Sequence, residues 1–197
     1  MPTRLPDSAH TSLPWRIHEV ARGFRVEDVW ALPTPGGPEE FPRLVELFGS
    51  FNPERSTNSV VRALFAIRWK VGEVLGWDQD RTGLGSRVSA LRDRVPPDLR
   101  DSAAGPRPGP FEPLYMTDDE WAAEIANQTV HGVLHLGWVP DGAGGYRGQM
   151  AVLVKPNGLL GTAYMAAITP FRLLIVYPAM LREIGRAWRS RTPEPAG

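Results

Sequence analysis

The stretch NQTVHGVLHLGWV, residues 127–139, carries His131 and His135 four positions apart, and whether it is helix or strand decides the fold. On a helix the two rings would sit one turn apart, close enough to share a metal ion. On a strand they would share a face, but their Cα atoms would stand roughly 13 Å apart at about 3.3 Å per residue. Thr129, Val130, Val133 and Val139 favour the strand, and Gly132 and Gly137 weaken a helix. The segment is therefore read as a strand, and no metal site is expected from the pair.

Period two then assigns sides. Val130, Leu134, Leu136 and Trp138 form the more apolar, inner face, while Thr129, His131, Val133, His135 and Val139 form the other. The histidines are expected to face outward or into a partly polar layer, unless a bulge at Gly132 or Gly137 turns one of them round.

Toward the C-terminus, YRGQMAVLVK (146–155) and LLGTAYMAAI (159–168) read as two further strands, joined by PDGAGG and PNG. Asn157-Gly158 suits a type I′ hairpin, whose two central residues both need positive φ. The three strands would close an antiparallel meander. Tyr146, Met150, Val152 and Val154 share one face of the second, and Thr162, Tyr164, Ala166 and Ile168 one face of the third. Soft apolar side chains with a few hydroxyls suit a pocket lining as well as plain core. Beyond them a long helix is expected, capped by Thr169 with Pro170 at its first position and Phe171, Leu174, Leu181 and Trp188 at helical spacing. Pro178 would kink it by removing a backbone donor and crowding the preceding turn.

Toward the N-terminus, TDDEWAAEIAN (117–127) opens with the capping pair Thr117 and Glu120 and reads as a short helix, with Asp118, Asp119, Glu120 and Glu124 suited to its dipole. FEPLYM (111–116) is a short strand, residues 96–110 a loop, and SRVSALRDRV (86–95) one short helix. Two helices are expected before that, a short one over 39–51 and a longer one over 56–77, opened by Ser56 or Thr57. The first strand, FRVEDVWALP (24–33), alternates Phe24, Val26, Asp28, Trp30 and Leu32 on one side. Asp28 interrupts that apolar face and is the best acid candidate, with Arg62 or Arg68 placed to reach an internal carboxylate such as Asp28 or Asp78.

The chain has 197 residues, no cysteine, and 22 basic against 22 acidic residues. One domain over 14–191 is expected, with polar, Pro-containing loose tails at 1–13 and 192–197. Balanced charge gives no global reason to expect nucleic acid or an anionic membrane, though a local basic patch remains compatible with it. No uninterrupted apolar run reaches the ~20 residues of a membrane span, and the start lacks the apolar core of a signal peptide, so a cytoplasmic location is expected. The chain holds no phosphate-binding loop, no G-x-S-x-G, no H-E-x-x-H and no dinucleotide-binding glycine pattern, so no cofactor is implied.

The order strand, two helices, loop, meander and long terminal helix resembles the helix-grip fold of the START and polyketide-cyclase-like (SRPBCC) superfamily. EDVWALPTPGG (27–37), ALFAIRWKVGEVLGWD (63–78), the opening stretch and residues 158–188 together resemble the bacterial family catalogued as domain of unknown function 2867. In similar tails that follow nicotinamide-cofactor-binding domains, a histidine often stands where this chain has Arg172. The resemblance implies an α+β domain, a curved antiparallel sheet wrapped around the C-terminal helix, with a cavity for small, largely apolar ligands between them.

Two functions follow as expectations. The first is binding of a small hydrophobic molecule by Trp138, Tyr146, Met150, Tyr164 and Phe171. The second is an enzyme of secondary metabolism, a cyclase, dehydratase or isomerase acting on a polyketide-like substrate, with His131, His135 or Tyr164 moving protons and Asp28 orienting one of them.

Overall fold

A computed structural model describes residues 3–50, 89–100, 104–126 and 130–190. The strand reading of the opening stretch holds from Val130 onward. Strands β1 (Thr3–Leu5), β2 (Arg25–Gly36), β3 (Glu112–Met116), β4 (Glu120–Ala126), β5 (Val130–Pro140) and β6 (Tyr146–Pro156) form one antiparallel sheet, in the order β1-β2-β6-β5-β4-β3. β5 pairs with β4 and with β6 without a register shift, so neither Gly132 nor Gly137 bulges. Leu136 and Trp138 accordingly join one core, while Val133 and Val139 join another on the opposite face.

The helices are α1 (Ser8–Thr11), α2 (Ile17–Val20), α3 (Phe41–Gly49), α4 (Pro97–Arg100), α5 (Gly158–Phe171) and α6 (Tyr177–Ser190), the last two joined by a π-helical turn at Arg172–Val176. α6 and α3 cover one side of the sheet. Tyr177, Leu181, Ile184 and Trp188 of α6 are buried there with Trp30, Phe41, Leu44, Trp121 and Met150. The indoles of Trp138 and Trp188 donate to the carbonyls of Gly37 and Pro35, both at 3.0 Å. The other side, the back face, is covered by Trp15, Ile17 and Val20 and by Leu91, Val95 and Leu99.

Four expectations are corrected. Residues 3–13 are not a tail: Arg4 pairs with Trp30, and His10 is fully buried. Residues 120–126 are strand, not helix. The Thr117 hydroxyl does accept the Glu120 N–H at 3.1 Å, but in a turn where Thr117 N–H also bonds the Glu120 carbonyl, which joins β3 to β4. Residues 159–168 are helix, not strand. Gly158 adopts φ 68°, but after Asn157 at φ −90° the chain turns from β6 into α5 and makes no hairpin.

The fourth correction concerns the long helix, which starts at Gly158 and carries Thr169 and Pro170 inside it. Thr169 returns its hydroxyl to the Met165 carbonyl at 2.7 Å. Ahead of Pro178 the helix widens by one residue, Tyr177 N–H bonding Arg172 O, so the missing proline donor is met by a π-helical turn. The helix expected over 56–77, with Arg62 and Arg68, lies outside the described residues, as do residues 192–197. Within 86–110, Leu91–Arg94 is a 3-10 turn and α4 a single turn of helix.

One bulge decides the helix-side face. Val26 pairs with Leu153 and Asp28 with Val152, so Glu27 is the extra residue of β2. The apparent alternation of β2 is split there: Phe24 and Val26 pack on the back face, Trp30 and Leu32 on the helix side.

Gly137 makes a close approach that no side chain would tolerate. A Cβ there would lie 2.7 Å from Cζ2 of Trp15. Gly137→Ala should therefore lower stability by about 1–3 kcal/mol in urea unfolding, through displacement of Trp15.

Candidate functional site

Two polar systems are buried in the sheet, one on each face. On the back face, β4 presents Glu120 and Glu124 four residues apart, and each lies diagonally across from a histidine of β5. Glu124 accepts from His131 Nε2 at 2.7 Å and from the Leu91 N–H at 3.0 and 3.1 Å. Glu120 accepts from His135 Nε2 at 2.9 Å, from the Arg16 N–H at 2.8 Å and from the Tyr115 hydroxyl at 3.2 Å.

Burial drives the His135 pKa down against the pull of Glu120, so its imidazole is neutral. Nε2 then carries the proton given to Glu120, and Nδ1 accepts from His10 Nε2 at 3.2 Å. His10 is held low, at about 3, by burial and by the neighbouring His135 and His18. His18 touches it edge to face at 4.9 Å. A cleft of about 290 Å³ adjoins this cluster, lined by Trp15, Arg16, Asp119, Glu120 and Trp138 among others.

On the helix side, Asp28 is 1% exposed and Arg172 of the π-helical turn donates to its Oδ2 at 2.5 Å. The Tyr177 hydroxyl donates to the same oxygen at 3.2 Å, and Arg4 stands 3.4 Å from Oδ1. Glu27 also reaches Arg172, at 3.5 Å. Burial raises the Asp28 pKa, opposed by Arg172, Tyr177 and Arg4, and burial likewise raises the Tyr177 phenol. Three buried polar atoms here have no hydrogen-bond partner among the described residues: Asp28 Oδ1, Arg172 Nε and the Trp30 indole nitrogen.

Beside this group the sheet is incompletely covered. Val152 pairs with Asp28 on one side and Leu134 on the other, and both apolar side chains stay partly exposed although their strands are the central ones of the sheet. The next row, Trp30, Met150, Leu136 and Trp121, is closed.

The residues singled out from sequence are scattered across this arrangement. Trp138 and Met150 are buried in the helix-side core, Trp138 stacking with Trp188 at 6.0 Å and Phe41 at 6.3 Å. Tyr146 packs at its edge. Tyr164 lies on α5, Ala166 is exposed, and Phe171 is 53% exposed. His131 and His135 occupy the face opposite Asp28, so Asp28 orients neither; its partners are Arg172, Tyr177 and Arg4. Leu134, Arg172, Tyr177 and His10 were not singled out, and only the histidine often found at the position of Arg172 in similar tails pointed there.

A helix lying along one face of an antiparallel sheet, with a polar group buried between them, defines an α+β domain of helix-grip arrangement. The chain belongs to the family described as Protein of unknown function (DUF2867), which matches residues 20–179. No curated protein and no solved structure matches the chain.

His10 and His135 set a pH dependence. An unfolded histidine binds a proton below about 6.5, whereas His10 resists until about 3, so the unfolded state holds the extra proton between those values. The contribution is complete above 6.5 and is lost as the pH falls toward 3, by up to about 1.4 kcal/mol per unit for His10, with His135 acting in the same direction. Urea midpoints should fall across this window, and His10→Gln, which keeps a donor for His135 but does not titrate, should flatten the slope.

The Asp28 and Arg172 pair is open to a double-mutant cycle. Asp28→Asn and Arg172→Met, alone and combined, should couple by about 1–3 kcal/mol in unfolding free energy, since either single change strands a buried polar partner.

Proposed function

We propose that this protein binds a small, largely hydrophobic molecule between the sheet and the C-terminal helix. The reading is carried by Val152 and Leu134, apolar residues of the two central strands that the helix leaves partly uncovered. Interior apolar rows of a sheet are ordinarily closed, and a partly open one ending at a buried polar group has the composition of a ligand site. Arg172 Nε and the Trp30 indole, without a hydrogen-bond partner among the described residues, favour a ligand with one polar end. With this reading goes membership of the START and polyketide-cyclase-like superfamily and a cytoplasmic location. Of the residues first expected to hold the ligand, Tyr146 remains part of the proposal as a flanking group and Tyr164 of α5 is kept with it, with Trp138 and Met150 supporting the wall behind Tyr146.

The second reading is an enzyme, a cyclase, dehydratase or isomerase, and it is favoured by one observation. Asp28 is a buried carboxyl with a raised pKa beside a tyrosine and an arginine, a set suited to moving a proton on a bound substrate. In it Asp28 takes the acid-base role, and the histidines latch the back face.

Native mass spectrometry of protein purified from its own host tests the binding reading. A retained small molecule is expected, lost in Val152→Trp and Leu134→Trp, whose added rings fill the open row without loss of fold. A wild-type protein that carries nothing, together with tryptophan variants destabilised by the 1–3 kcal/mol typical of an overpacked core, about what a closed interior would give, sinks it.

A further inference from the structure

The C-terminal helix presents to solvent a surface that neither the sheet nor the proposed ligand site uses. Its solvent-exposed positions form a ridge along both halves of the helix, on either side of the π-helical turn at Arg172–Val176. Along its first half Ala166, Pro170 and Leu174 are exposed, with Ala167 and Phe171 beside them. Leu174 is 76% and Phe171 53% exposed, and these are the exposed large apolar side chains among the described residues. Along the second half the exposed positions become Arg182, Arg186 and Arg189, while Tyr177, Leu181, Ile184 and Trp188 hold the opposite side to the sheet. No acidic residue occurs between Lys155 and Arg182.

A ridge that is apolar and then cationic matches an anionic lipid interface, where acyl chains accept the first half and headgroup phosphates the second. Leu174 and Arg182 stand about 12 Å apart along the axis at 1.5 Å per residue, so both reach one surface when the helix lies parallel to it. The stretch Met165–Ser190 is long and apolar enough to cross a membrane by length and composition, and the window that qualifies is 22% buried. Its Arg172 is committed to Asp28 and its α6 part to the sheet, which argues against an end-on insertion. A second copy of the chain would offer the same arginines, with the partly exposed Glu183 beside them, whereas anionic headgroups complement Arg182 and Arg189 directly.

We propose that this ridge docks the protein on an anionic bilayer, Phe171 and Leu174 entering the acyl boundary and Arg182 and Arg189 meeting lipid phosphates. The full-length protein is sedimented with vesicles of phosphatidylcholine alone and of phosphatidylcholine mixed with phosphatidylserine. Binding to the mixed vesicles is expected, weakening as salt is raised. Phe171→Glu with Leu174→Glu should reduce partitioning about tenfold or more, with unchanged thermal unfolding, because both side chains are on the surface. Arg182→Gln with Arg189→Gln should bring binding to mixed vesicles down to the level seen with phosphatidylcholine. Equal sedimentation with both vesicle types, or none, overturns the proposal. So does a dimer seen by sedimentation velocity without lipid and abolished by the glutamate pair, which assigns the ridge to a second copy.

Discussion

Two carboxylates buried on one face of β4, with Ala122 between them, set the terms for the whole back face. Glu120 and Glu124 each lie within 2% of full burial, and an unmatched buried carboxylate costs several kcal/mol. Each is matched in the same way, by a histidine from the adjacent strand and by one backbone N–H from a segment that crosses the sheet. Arg16 supplies that N–H for Glu120 and Leu91 for Glu124. The segments covering the back face are therefore held by hydrogen bonds to charged acceptors as well as by their apolar side chains. His10, reached through His135, extends the same chain of bonds into the first residues of the protein.

With the back face latched, the incompletely covered apolar row lies on the helix side. There the bulge at Glu27 turns Asp28 toward the helix and keeps Glu27 within reach of the same arginine, which a regular strand would have sent to the opposite face. The π-helical turn performs a matching task on the helix. It absorbs the absent donor of Pro178 and sets Arg172 and Tyr177, five positions apart, onto one carboxylate. Two local irregularities, one in the sheet and one in the helix, thus meet at a single buried group, beside the only partly covered row of Val152 and Leu134.

The solvent side of the same helix shows why its sequence is so apolar over a stretch that is so little buried. A core helix would turn Phe171 and Leu174 inward, and an ordinary surface helix would carry acids and bases there. This one separates its apolar and cationic positions along its length, with the sheet holding the far side. The proposed ligand site and the proposed lipid-facing ridge would occupy opposite sides of one element, giving a route by which a hydrophobic molecule drawn from a bilayer would arrive beside the sheet.

What the sequence determined by itself was local and periodic. The alternation along β5, unbroken by any bulge, fixed which residues face the helix and which face away, and the spacing of residues 41–49 fixed α3. The same reasoning misread β4, because Thr-x-x-Glu makes the same hydroxyl to N–H bond in a helix cap and in a tight turn, and Ala and Glu favour helix until a neighbouring strand claims them. It misread α5, because a run apolar on every side has no period to measure. Only the tertiary structure decided the role of the histidines. His10 and His135 are 125 positions apart, and Glu120 and His135 meet only once β4 is a strand in register with β5. Periodicity reports the environment of one residue relative to its near neighbours, whereas a buried polar group is defined by partners that only chain folding brings within hydrogen-bond distance.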